Sequence, residues 1–159
     1  MTEDRPGEAA VVDRRAARVL LVDAADRVLL LRGTDPADAS RGGWWFTPGG
    51  GLDEGEAPVD AACRELREET GLQLAAHALG DVVHERVALF SFAGTDYRQA
   101  EVYYLARVDA HEVDSSGFTP LEVASVTGHR WWPRSELAGT GELVFPDDLA
   151  AVLARVLAA

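Results

Sequence analysis

Residues Gly50–Leu72 read GGLDEGEAPVDAACRELREETGL, and this stretch decides the fold. Pro58 suits the first turn of a helix, where a missing N–H costs nothing, and Gly71 suits the C-terminal stop. Between them Val59, Ala62, Cys63, Leu66 and Thr70 follow a 3.6-residue period, so one stripe of the helix faces a core. The same helix carries Glu65, Glu68 and Glu69 at i, i+3 and i+4, which puts three carboxylates on one face. The spacing predicts that this face lies opposite the apolar stripe, towards a cleft or solvent. Charges this close repel, and a hard divalent cation relieves the repulsion because carboxylate oxygens are the ligands that magnesium and manganese prefer. Arg64 is spaced to pair with Glu68 and hold it in place. Taken alone, the three glutamates fit a solvated acidic face better than a site. The glycine-rich approach Thr47-Pro-Gly-Gly-Gly, whose backbone can come close to a ligand, shifts the balance towards a site.

Working outward, residues 1–14 are polar and aperiodic and read as a disordered tail, leaving 15–159 as a single domain. Ala16–Asp23 and Arg27–Arg32 are Val- and Leu-rich runs joined by a short link, the pattern of a β-hairpin. Trp44–Phe46 reads as a short strand. Downstream, Asp81–Val87, Ala88–Ala93 and Ala100–Val108 read as three strands. Asp109–Gly128 is a long polar loop of the kind that often carries function. Arg130–Pro133 reads as a further strand, Ser135–Leu137 as a turn, and Asp147–Leu157 as a closing helix with Leu149, Val152, Leu153 and Val156 on its buried stripe. Either Asp147 or Asp148 is a candidate cap for that helix. Strands and helices mixed in this order make an α/β domain.

The chain has 159 residues and a net charge of −12, with arginine supplying all fifteen basic residues. That charge makes long nucleic acid a poor partner. It leaves room for a small phosphorylated ligand bridged by divalent cations. No apolar run is long enough to span a bilayer, so no membrane partner is expected. A single cysteine cannot form an internal disulfide, and together with the absence of a leader-like start it favours a cytoplasmic setting. Cys63 falls on the core stripe and reads as a small core residue.

The stretch also resembles the signature of the Nudix (MutT-like) hydrolases, G-x5-E-x7-R-E-U-x-E-E-x-G-U, where U is a bulky apolar residue. Every fixed position matches: Gly50, Glu56, Arg64, Glu65, Leu66, Glu68, Glu69, Gly71 and Leu72. The resemblance implies an α/β/α sandwich around a mixed sheet. It also implies hydrolysis of a nucleoside diphosphate linked to another group, with Mg2+ or Mn2+ as cofactor. By the family pattern Glu65, Glu68 and Glu69 bind the metal, a carbonyl of Gly49 or Gly50 adds a ligand, and Glu56 and Arg64 support them from behind. Metal-bound water then attacks phosphorus, with Glu68, Glu69 and Arg64 in the catalytic group.

The general base is either a glutamate of this stretch or a carboxylate on the later loop. Glu122 is the first candidate there, with Glu112 and Asp114 as alternatives. Each of the three, taken alone, fits a solvated loop charge better. Substrate contacts are sought at Arg32 and Arg41, which flank the loop before the helix, at Arg98, and at Trp45 as a stacking surface; solvent exposure or core packing is the competing role for each. The partner expected is a small nucleotide or nucleotide conjugate, and exposed aromatics are compatible with a homodimer. The rival function is a non-catalytic nucleotide-sensing module, ranked lower because such modules usually carry a degraded signature. RNA decapping is disfavoured by the acidic charge.

Overall fold

The computed structural model describes residues 10–158. A mixed eight-stranded sheet carries helices on both faces. Strand β1 (Val12–Val22) runs parallel to β6 (Thr95–Arg107) along its whole length, from Val12 opposite Tyr97 to Val22 opposite Arg107. Its other edge pairs antiparallel with β2 (Arg27–Thr34) only at Val22 and Val28, and with β4 (Gly49–Gly51) at Ala16–Arg18. The sheet therefore opens between β1 and β2. On the far side, β2 pairs with β3 (Gly43–Phe46) and β7 (Val126–Pro133), and β8 (Val144–Phe145) lies beside β3. Strand β5 (His84–Phe92) pairs with β6 and forms the sheet edge.

Helix α1 (Pro58–Thr70) packs on one face of the sheet and α4 (Leu149–Leu157) on the other. Packing on both faces explains why the second half of β1, Val19–Val22, is an unbroken apolar run. Val19 and Leu21 pack with Ala61, Ala62 and Leu66 of α1, while Leu20 and Val22 pack with Val152 and Leu153 of α4. A strand covered on both faces has no solvent side to make polar. Two short helices, α2 (Pro120–Ser125) and α3 (Arg134–Leu137), complete the architecture. Among the described residues no helix is long and apolar enough to cross a membrane.

The expected α/β/α arrangement, the hairpin, the strand at Trp44–Phe46 and both long helices are present. Several expectations are corrected. Of the tail read over 1–14, residues 1–9 lie outside the described residues, while Val12–Arg14 belong to β1, held by pairing to β6. The runs 81–87 and 88–93 merge into the single strand β5, which starts only at His84 and ends at Phe92, since nothing between Val87 and Ala88 breaks the backbone. The turn falls instead at Ala93-Gly94, where both residues have positive φ, as a tight hairpin requires. The loop 109–128 ends in α2 and the start of β7. Asp148 stands at the start of α4 without a side-chain capping bond.

Candidate active site

The last turns of α1 face β4 across a gap that only glycine permits. A Cβ on Gly50 would stand 2.7 Å from the Glu65 carboxyl carbon. Gly49 has φ +145°, and a Cβ there would meet the Ala17 carbonyl oxygen at 2.3 Å. Its N–H donates to Glu69 Oε1 at 2.9 Å. The backbone of the glycine loop is thus in direct contact with two of the three glutamates.

Glu69 is 2% exposed, which corrects the expectation that the carboxylates lie opposite the core stripe. The helix period explains it: Ala62, Leu66 and Glu69 follow i, i+4, i+7 spacing, so Glu69 continues the buried stripe. Burial, with repulsion from Glu65 and Glu122, holds the Glu69 carboxyl well above the usual carboxylate range against the opposing pull of the Gly49 N–H and Arg18. Glu65 is pushed up by burial as well, partly offset by its bond from Arg64. One buried and one half-buried acid, both with raised affinity for a proton, are a site that favours a positive occupant.

The third member comes from α2. Ligand oxygens of Glu65, Glu69 and Glu122 lie within 4.8 Å of one another. Glu122 is set there by a capping box: Thr119 accepts from the Glu122 N–H at 3.3 Å, and the Glu122 carboxylate accepts from the Thr119 N–H at 3.0 Å. Glu68 lines the same cleft but stands outside this trio, with its carboxylate 3.6 Å from Arg64.

Arg64 ties the group together. It bonds Glu56 at 2.9 Å, Glu65 at 2.9 Å and the Gly51 carbonyl at 3.0 Å. Glu56 also accepts from the Asp53 N–H at 2.9 Å, and its carboxyl is held below the usual range chiefly by the Arg64 hydrogen bond. The loop between β4 and α1 is pinned to the helix by this one guanidinium.

The trio opens into a cleft of about 870 Å3, of the size that takes a drug-sized ligand. A family model described as the NUDIX domain matches residues 12–156. The chain belongs to the NUDIX domain family. A Nudix hydrolase of Bacillus subtilis, YvcI, is 34% identical over 114 residues, covering 65% of this chain and 68% of that protein. An RNA pyrophosphohydrolase of Bartonella quintana is 60% identical over 37 residues, 23% of this chain and 21% of that protein. The match thus spans about a fifth of that relative's length. Among solved structures, the NUDIX domain of Shewanella oneidensis NrtR, complexed with ADP ribose, aligns with a TM-score of 0.66 and 20% identity over 99% of both chains. A MutT protein from Methanosarcina mazei Go1 aligns with a TM-score of 0.65 and 19% identity over 93% of this chain and 95% of that one. These two likenesses concern the fold.

Outside the Nudix signature, the expected substrate residues divide. Arg41 lines the cleft, with its guanidinium 4.7 Å from the Trp44 ring centroid. Trp45 does not line it. It is 9% exposed and packs edge-on against Trp132, with centroids 5.4 Å apart. Trp44 takes the cleft position instead, because successive strand residues point to opposite faces. Arg32 pairs across the strands with Trp45 and so follows it away from the cleft, bonding Glu142 at 3.2 Å. Arg98 is exposed near Asp13, while its neighbours Tyr97 and Gln99 face the cleft. Of the loop carboxylates only Glu122 reaches the site. Glu112 lines a separate shallow depression with His111 and His129, and Asp114 is exposed beyond the end of α1.

Sequence reading missed a polar cluster on the cleft floor. Glu101, 3% exposed, accepts from Arg18 at 3.1 Å, Arg86 at 2.6 Å, Gln99 at 2.7 Å and Tyr103 at 3.0 Å. Burial alone would raise the Glu101 carboxyl, but Arg18 and Arg86 overcome it and hold it at about 2. The available signal was the alternation Gln99, Glu101, Tyr103, three polar-bearing residues on one face of a strand.

Proposed function

We propose that this Nudix protein is a Mg2+- or Mn2+-dependent pyrophosphohydrolase that cleaves the diphosphate linkage of a nucleoside diphosphate joined to another group. The observation that carries the reading is the trio Glu65, Glu69 and Glu122 at the mouth of a nucleotide-sized cleft. Its donor set fits a hard divalent cation: carboxylate oxygens only, with buried Glu69 and half-buried Glu65 repelling each other, beside a glycine backbone with no side chain in the way. Glu65, Glu69 and Glu122 would hold the ion, with Glu68 and the Gly50 carbonyl adjacent. When bound, the ion lowers the pKa of a coordinated water and offsets charge on the diphosphate.

The chain's own residues supply the rest. Arg64 fixes Glu65 and steadies Glu68, and Glu68 takes the proton of the attacking water in this reading. Trp44 and Arg41 form one wall of the cleft, suited to stacking on a nucleobase and to facing phosphate. The substrate is a small nucleotide conjugate met in the cytoplasm.

The test is a panel of nucleoside triphosphates, ADP-ribose, dinucleoside polyphosphates and 5′-triphosphate RNA, with Mg2+ or Mn2+, scored by phosphate release after coupling. Turnover of a small nucleotide that disappears in Glu69→Gln is the expected result. Tight nucleotide binding with no turnover of any member would replace the enzyme with a sensing module.

A further inference from the structure

The carboxylate trio stands on two helices, but one member, Glu69, is oriented by the loop before α1, and something must hold that loop. Gly49 N–H orients Glu69, so the position of residues 47–49 sets where the Glu69 carboxylate lies. Nothing in the Nudix signature clamps this segment on the side away from α1. Arg18 does. Its Nη1 donates to the Thr47 carbonyl at 3.2 Å and to the Gly49 carbonyl at 3.1 Å, while Nε donates to Glu101 at 3.1 Å. The Phe46 ring lies against the same guanidinium, 5.9 Å from its centre.

Glu101 sets the guanidinium's orientation in turn. Its second oxygen accepts from Arg86 and Tyr103, so the carboxylate is saturated and immobile. Its charge matters as well as its shape. Arg18 also feels the Glu69 carboxylate, and Glu101 is the stronger attraction. Without Glu101, Glu69 remains as a carboxylate that attracts Arg18, and an arginine drawn to Glu69 competes with any cation there.

We infer that Arg18 and Glu101 are positioning residues that hold Thr47–Gly49 so that Glu69 is presented to the metal and not to Arg18. The relay runs from β6 through β1 to the glycine loop and into α1. It rests on the metal-dependent reading above.

The test measures Mn2+ binding by calorimetry or electron paramagnetic resonance, alongside thermal stability and steady-state kinetics. Arg18→Lys keeps the charge but lacks the planar fork whose separate Nε and Nη1 reach the carboxylate and the two carbonyls. Glu101→Gln keeps the shape and removes the charge, and serves if the first variant fails to fold. Leu153→Ala, on the buried face of α4, is the matched destabilised control. The expected result is an Mn2+ dissociation constant raised about tenfold or more in both relay variants. In addition, kcat falls with little change in KM, and the control keeps parental affinity. Relay variants that lose thermal stability but bind Mn2+ as the parent does would reduce the cluster to a structural ion-pair network and overturn the inference. A parent protein that binds no Mn2+ would instead overturn the metal reading itself, which the first measurement shows separately.

Discussion

Glu122 brings a carboxylate oxygen within 4.8 Å of one on Glu69, although Glu69 belongs to the helix of the Nudix signature and Glu122 to a short helix far along the chain. This contact changes what Glu122→Gln should do. As a pure general base its loss would spare the metal. As a member of the trio its loss weakens the ion too. Turnover is expected to fall about 100-fold or more, with Mn2+ affinity down about tenfold. The amide oxygen can still accept the Thr119 N–H, so the melting temperature should barely move.

Gly50→Ala tests the fit between β4 and α1. The added methyl would meet the Glu65 carboxyl at 2.7 Å, which is the mobile end of a side chain, and Gly50 does not occupy the positive-φ region. The protein should fold with near-parental stability and lose Mn2+ affinity. Gly49→Ala is the contrast. There the methyl meets backbone at 2.3 Å and φ is +145°, so loss of folded protein is expected. Circular dichroism and metal titration of the two variants distinguish these outcomes.

The tandem tryptophans should separate stability from substrate affinity. Trp45→Ala empties a core position and is expected to cost about 3–5 kcal/mol in a denaturant titration. Trp44→Ala should leave stability nearly unchanged and cost about 1–3 kcal/mol of nucleotide affinity, read as a raised KM. The reverse pattern would show that the cleft wall is misassigned.

The buried carboxylates give opposite pH dependences. Glu101 has a folded pKa held at about 2, below its unfolded value of 4.5. It therefore contributes stability that is present above 4.5 and lost as pH falls towards 2, about 3 kcal/mol in all. Glu69 is raised, so its contribution is present below the unfolded value and lost as pH rises through the folded one. In chelator, Glu69→Gln should be more stable than the parent at neutral pH, with the difference shrinking as pH falls through the folded value and gone below the unfolded one. Thermal melts across the acid range, with and without Mg2+, check both signs.

How much of this was legible in the sequence depends on whether the signal was periodic or a matter of packing. Helix α1, its proline start and its glycine stop follow from local rules, and so does the spacing of its glutamates. The direction those glutamates face was misjudged at Glu69. A charged residue was assigned to the polar face by its chemistry, when its i+3 distance from Leu66 put it on the buried one. Trp44 and Trp45 show the same limit: alternation says one faces in, but only the pairing of β3 with β2 says which. Glu122 is the first loop candidate from the sequence alone, but its place on a helix was missed, although Thr119-Pro-Leu-Glu122 is a capping box written in the chain. Glu101 left only the alternation with Gln99 and Tyr103, and its partnership with Arg18 had no local mark, because it exists only once β1 and β6 lie side by side.

The capping box at Thr119 has a consequence for how activity can be set. The oxygen-bearing side chain that completes the trio is also the one that locks the first turn of α2, so the state of that turn and the completeness of the trio rise and fall together. A change at Thr119 therefore reaches the trio from outside the signature, with every residue of the Nudix box intact.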